Sequence, residues 1–135
     1  MKPDEARRLF STARVARLAT SAGSTPHVVP FTFAVDGDVV YTAVDAKPKS
    51  TTNLRRLRNI RDNPAVALLA DHYDEDWASL WWVRADGLAR VVTGAEAMAR
   101  PIRLLADRYP QYAASPPGGP VIAIQVARWS GWSAS

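Results

Sequence analysis

The sequence contains no cysteine. A disulfide framework, a thiolate metal site, a haem-attachment motif and cysteine catalysis are therefore excluded, and the composition fits the cytoplasm. Histidine is almost as scarce, with His27 and His72 the whole supply. Neither adjoins a GxSxG serine or forms an HExxH pair, so the sequence offers no hydrolytic triad and no zinc-protease helix. No GxGxxG follows a strand-like run, which argues against a Rossmann cofactor site. No window approaches the roughly 18 consecutive apolar residues of a membrane helix. The charged opening Met1-Lys2-Pro3-Asp4-Glu5 leads into no apolar stretch of a secretory leader. The expectation from these absences is a cytoplasmic chain that is not embedded in a membrane.

The chain has 135 residues, which suits one domain over 1–135 with a core of its own. Lysine and arginine outnumber aspartate and glutamate by 17 to 13, a net charge of +4. That surplus suits an anionic partner: nucleic acid, an anionic cofactor or an acidic substrate. Much of the acid lies in the N-terminal turn and in Asp71–Asp76, so the middle of the chain is locally more basic. A nucleic-acid module is disfavoured because RNP, zinc-finger and KH signatures are lacking, and the tryptophans sit beside acids rather than within the basic run. The partner expected is a small-molecule substrate, with no nucleic acid.

Local patterning predicts a mainly β chain with short helices. A helix opens at Pro3-Asp4-Glu5, and a first strand covers Arg14 to Thr20, with a turn over Ser21 to Pro26. His27 to Val35 and Asp38 to Val44 flank Asp36-Gly37, a strong hairpin signal of the type I′ kind. Pro30 cannot donate a ladder hydrogen bond and predicts an edge or a bulge. Asp45 to Ser50 reads as a loop, followed by a helix from Thr51 to Arg61 that Asn63-Pro64 ends. Strands are predicted at Ala65 to Ala70 and at Leu80 to Val92, the latter bent or bulged at Gly87. Thr93-Gly94-Ala95-Glu96 matches a capping box for a helix to Tyr109, with Pro101 predicting a kink or a late start. The last strand is Val121 to Trp129. Six strands with hairpins and bends favour an antiparallel sheet closed into a barrel.

Three segments carry candidate chemistry. The first runs from Lys47 to Arg58: two lysines, three hydroxyls and a helix start are the parts of a phosphate site. On a helical wheel Leu54, Leu57 and Ile60 form one stripe, with Arg56 and Arg58 on opposite flanks and Arg55 turned away. The alternative is a solvated amphipathic helix with basic edges. The second is Trp77 with Trp81-Trp82-Val83-Arg84, where an arginine beside a tryptophan can clamp a planar anion, or where the two simply serve core and interface. The third, Asp71 to Asp76, lacks any metal-ligand spacing and reads as a solvated acidic loop, so no metal is expected. His27 opens a strand and reads as structural. No residue is assigned a catalytic role.

The order of segments is more specific than any one of them. Ala16-Arg17-Leu18-Ala19-Thr20 precedes Pro26-His27-Val28-Val29-Pro30-Phe31-Thr32-Phe33. Asp36-Gly37-Asp38-Val39-Val40-Tyr41-Thr42-Ala43 follows. Then come Lys47-Pro48-Lys49, Leu57-Arg58-Asn59-Ile60, Asn63-Pro64-Ala65-Val66-Ala67-Leu68 and Trp82-Val83-Arg84-Ala85-Asp86-Gly87. Across essentially its whole length the chain resembles the pyridoxamine-phosphate-oxidase-like (PPOX class) split-barrel superfamily. More narrowly, it resembles the actinobacterial branch of F420-dependent oxidoreductases. The resemblance implies a six-stranded, FMN-binding-protein-like split β-barrel, acting as a homodimer with cofactor sites at the subunit interface. It implies a phosphate held by Lys47, Lys49, Thr51, Thr52 and Arg56, and a ring lying against Val28, Val29, Pro30, Thr42 and Ala43. The partner subunit would add Trp82 and Arg84, with Trp77 as a further candidate. One departure stands out: many relatives carry a compact Gly-Arg-Lys stretch before the Asn-Leu of the helix, whereas here Arg56-Leu57-Arg58 precedes Asn59-Ile60. The implied activity is hydride transfer between coenzyme F420 and a small conjugated acceptor. An FMN-dependent oxidase or reductase on the same fold, and a non-catalytic binder of flavin, haem or a tetrapyrrole, are the competing readings.

Overall fold

The computed structural model describes residues 1–44 and 51–135, with the backbone alone for 51–54. Helix α1 (Pro3–Thr12) starts on a proline, tolerated where the first N–H groups lack partners anyway, and carries Asp4 and Glu5 in its first turn. It buries Ala6 and Phe10, and Phe10 packs on Phe33 and Trp129 at centroid distances of 4.7 and 5.5 Å. Strands β1 (Ala16–Ala22) and β2 (Thr25–Phe31) form a hairpin about Gly23, whose φ is +60°. Strands β3 (Ala34–Asp36) and β4 (Val39–Ala43) form the hairpin signalled by Asp36-Gly37. The turn residues are Gly37 and Asp38, and only Gly37 has positive φ, at +61°. That is the pattern of a type II′ turn rather than the expected I′, because glycine occupies its first central position.

Helix α2 (Thr51–Asp62) ends before Asn63-Pro64, as expected. Strand β5 (Ala65–His72) runs two residues past the predicted stop. A 3₁₀ turn at Trp77–Ser79 leads into β6 (Trp81–Val92), followed by α3 (Ala95–Arg108), α4 (Pro110–Ala114) and β7 (Val121–Ser133). The capping box at Thr93 does not form. Gly94 is the N-cap, with φ +95° and no side-chain cap bond, and α3 then runs through Pro101 without a late start.

All seven strands join one antiparallel sheet in the order β2-β1-β5-β6-β7-β4-β3, which curls into an open barrel. Pro30 lies on β2, at one edge of that order, as the missing donor requires. The sheet has one strand more than predicted because the run His27–Val35 is broken. The chain leaves β2 after Phe31 and rejoins the opposite edge as β3 at Ala34. The gap is held by Tyr109, whose hydroxyl accepts the Phe33 N–H at 3.1 Å. That hydroxyl lies 2.9 Å from the Arg14 carbonyl and 3.1 Å from that of Phe33, and donates there. A side chain thus replaces the ladder partners that Phe33 gives up.

Gly87 marks the one irregularity between β6 and β7. Asp86 faces Arg128 but Gly87 faces Val126, so β7 carries the extra residue. A Cβ at Gly87 would stand 2.3 Å from the Gln125 carbonyl oxygen, which is why the position admits no side chain. The inside of the barrel holds the main core, including Leu18, Phe33, Leu68, Val83, Ile122 and Ile124. A second core lies outside, where α3 and its neighbours cover Ala43, Val92, Val121 and Ala123 with Leu105 and Tyr109.

Candidate functional site

The place where β2 breaks off is also where a cleft opens. It has a volume of about 300 Å³ and is lined by Val15, Pro30, Phe31, Thr32, Thr42, Ala43, Arg56 and Tyr112. Pro30 and Phe31 end β2, Thr42 and Ala43 end β4, Arg56 comes from the second turn of α2, and Tyr112 from α4. The cleft therefore sits on the seam between the two edges of the sheet.

Arg56 is its chemical centre. The helical wheel puts this residue on a flank of the apolar stripe; in the folded chain it is inside, 8% exposed, beside the buried Leu57, Asn59 and Ile60. Burial pushes the guanidinium below its usual value, and the proximity of Tyr112 opposes that shift. A buried cation at an open cleft is favourable ground for an oxyanion, whose charge offsets the penalty of desolvation. Hydroxyls line the same cleft. Thr42 is buried, and Thr32 Oγ1 and Tyr112 Oη hydrogen-bond to each other at 2.9 Å. The remaining wall is apolar: Val15, Pro30, Phe31 and Ala43. One buried guanidinium, three hydroxyls and a flat apolar surface together suit a ligand with an anionic group on a planar or aliphatic body.

The cleft thus unites four of the residues singled out in the sequence: Pro30, Thr42, Ala43 and Arg56. Val29 is buried in the core behind it, and Val28 is exposed on the same face of β2 as Pro30 but does not line the cleft. Lys47 and Lys49 lie outside the described residues. Thr51 and Thr52 form the first turn of α2, one turn before Arg56, and their side chains are likewise outside the description. Trp82 and Arg84 stand on the outer face of β6, away from the cleft. Trp82 faces Trp132 of β7, and Arg84 pairs with Asp86 at 3.1 Å. Trp77 is exposed on the 3₁₀ turn.

Four lining residues escape the sequence reading. Phe31 has the alternation of a core strand and Thr32 sits inside a run that reads as continuous strand, so neither carries a signal. Val15 precedes β1, and nothing in its neighbours marks it. Tyr112 lies three residues after Tyr109, and the rings meet edge-on at 5.7 Å. That helical spacing was available, but not its destination.

The same architecture recurs in known structures. The FAD-binding protein of Mesorhizobium loti is 20% identical, with 97% of this chain and 94% of that chain covered and a TM-score of 0.75. The FAD-binding protein of Mycobacterium smegmatis is 20% identical, with 98% and 94% covered and a TM-score of 0.70. A haem-storage protein of Vibrio cholerae is 16% identical, with 98% and 95% covered and a TM-score of 0.71. No curated protein matches the sequence. The chain does match the pyridoxamine 5′-phosphate oxidase family over residues 3–133, nearly its whole length, and so it belongs to that family.

Proposed function

We propose that this protein is a cytoplasmic oxidoreductase that holds a flavin-type cofactor in the seam cleft, and that the cofactor is the deazaflavin coenzyme F420. The observation that carries the reading is the buried Arg56 in a cleft it shares with the hydroxyls of Thr32, Thr42 and Tyr112 and with an apolar wall. The donor set fits a phosphate-bearing flavin. Arg56 binds the phosphate together with the first turn of α2, Thr51 and Thr52, and with Lys47 and Lys49. Pro30, Ala43 and Val29 behind them give the ring an apolar backing that excludes water. When bound, the cofactor supplies the hydride chemistry, transferring it to a small conjugated acceptor. The net charge of +4 suits an anionic cofactor with a carboxylate-rich tail.

The cofactor site is completed by a second copy of the chain. The volume of about 300 Å³ is at the lower end for ligand pockets, which run from roughly 300 to 1,000 Å³. The outer sheet face provides the surface for that second copy. Val28, Leu69, Trp82 and Trp132 are exposed there, on strands whose registers place them on one side. Trp82 and Arg84 on this face then reach the partner's cofactor.

The haem-storage relative makes a non-catalytic haem or tetrapyrrole binder the second reading. Against it, neither histidine lines the cleft: His72 stacks on Trp81 at 6.4 Å, and His27 lines a different cleft. FMN on the same fold is the third.

One titration separates these readings. Protein fluorescence from the five tryptophans is followed as F420, FMN, FAD or haem is added. Micromolar quenching by F420 alone supports the reading. Tight FMN or FAD binding with no response to F420 replaces it by a flavoprotein, and a haem Soret shift by the binder. Turnover with an enone, quinone or nitroaromatic panel then distinguishes catalysis from carriage.

A further inference from the structure

A second cleft lies against the exposed side of α2, under the β1–β2 hairpin. Its volume is about 360 Å³, and its polar lining is Thr25 and His27 from the hairpin with Arg55, Arg58, Asn59 and Asp62 from the helix. The floor is fixed, since Asn59 donates to Thr20 Oγ1 at 3.1 Å and both residues are buried. Arg55 and Arg58 are exposed, and among the described residues neither forms an ion pair. Against Asp62 on the rim they leave the cleft net positive.

His27 adds an independent observation. It sits on edge strand β2 opposite Thr20, and its Nδ1 is shut off from solvent without a hydrogen-bond partner. An orphaned buried ring nitrogen is costly. It also leaves the imidazole unanchored, so rotation about Cβ–Cγ towards a ligand breaks no bond within the protein. Two guanidinium forks, one imidazole and one threonine hydroxyl converge on this space. That is the donor set of an oxyanion site, with arginine geometry suited to paired oxygens. With two arginines against the one carboxylate of Asp62, the net attraction grows with the charge of the anion and favours one with several charges.

We infer that this cleft is an oxyanion subsite, gripping a multiply charged phosphate or carboxylate group through Arg55 and Arg58 beside His27. Two sources share this chemistry. One is a separate small metabolite. The other is the far end of the cofactor, because β2 borders both clefts: Pro30 lines the first and His27 the second, three residues or about 10 Å along the strand.

The test titrates the full chain with inorganic pyrophosphate at constant ionic strength and follows the imidazole resonances of the two histidines. His27 is expected to shift saturably while His72 stays still. Arg55→Gln with Arg58→Gln, both at exposed positions, is expected to leave the circular dichroism spectrum unchanged and to weaken binding by roughly tenfold or more. A static His27 signal, or an equal shift in the double variant, overturns the inference. Repeating the titration on protein saturated with F420 identifies the source. Loss of the pyrophosphate-induced His27 shift assigns the subsite to the cofactor's distal group; survival assigns it to a separate metabolite. A chain that binds no F420 would sink the cofactor reading and leave the pyrophosphate result standing.

Discussion

The outer face of the sheet is dressed differently at its two ends. Around β3, β4 and the adjoining ends of β6 and β7, α3 lays down a second core in which Leu105 and Val121 are fully buried. Around β2, β1, β5 and the other ends of β6 and β7, no helix among the described residues covers that face. Val28 is 61% exposed, Trp132 47%, Leu69 42% and Trp82 39%. Strands β6 and β7 serve both ends, pairing Val92 with Val121 under α3 and Trp82 with Trp132 in the open. The difference teaches that one sheet side can be finished by its own chain at one end and left bare at the other. The candidate cleft lies on the seam between the two.

The comparison breaks most sharply at Leu105. Leu105→Ala empties a fully buried position of the covered end and is expected to cost about 2–5 kcal/mol in denaturant unfolding, whereas Leu69→Ala at the bare end should leave the stability of the isolated subunit within about 0.5 kcal/mol. Next in size is Trp82→Asp. Loss of an aromatic anchor from a subunit interface should raise the dimer dissociation constant by roughly thirtyfold or more in analytical ultracentrifugation. An unchanged oligomer would show that the bare face is not where copies meet. Lys49→Ala combined with Arg56→Ala should weaken cofactor binding by roughly tenfold or more, because charged hydrogen bonds contribute about 1.5–3 kcal/mol. Equal affinity in wild type and variant would place the phosphate elsewhere.

The smallest effect is a pH-dependent one at the covered end. The hydrogen bond and charge of Arg100, 3.0 Å away, hold the Asp36 carboxyl below its ordinary value. A carboxyl depressed in the folded state adds stability that is complete above its unfolded value of about 3.9 and is lost as pH falls through the folded one. Arg100 is exposed and Asp36 only partly covered, so Arg100→Ala should lower the melting temperature only slightly at neutral pH. The gap to wild type should close in strong acid; a gap that persists there would mean that packing, not charge, is what Arg100 contributes.

Much of the frame could be read from local chemistry. Gly37 demanded a turn, Asn63-Pro64 a helix end, Pro30 a strand edge and Gly87 an irregular ladder, because each of these residues constrains the backbone where it stands. What escaped depends on distant partners. Val29, Phe31, Phe33 and Val35 alternate without interruption, so nothing local reveals a break that is held by a tyrosine 76 positions away. Thr93 satisfied a capping pattern, but Gly94 took the cap with a backbone angle that threonine rarely adopts. In the site, Arg56 was picked out for its charge while its burial was missed. Tyr112 carried no mark, since only the return of α4 across the seam brings it to Thr32. His27 and Arg55, read as structural and as turned away, meet in one cleft for the same reason.

The position of β7 has a consequence for how such a chain is made. This last strand lies inside the sheet, between β6 and β4. The β3–β4 hairpin is synthesised early but has only itself to pair with until residues 121–125 emerge. Tyr109, which fixes the crossing from β2 to β3, also arrives late. Ribosomes add residues at roughly 5–20 per second and domains tend to fold as units. The β3–β4 hairpin therefore lacks its sheet partner for a time on the order of seconds during synthesis, and the strand order is complete only once β7 takes its place in the middle.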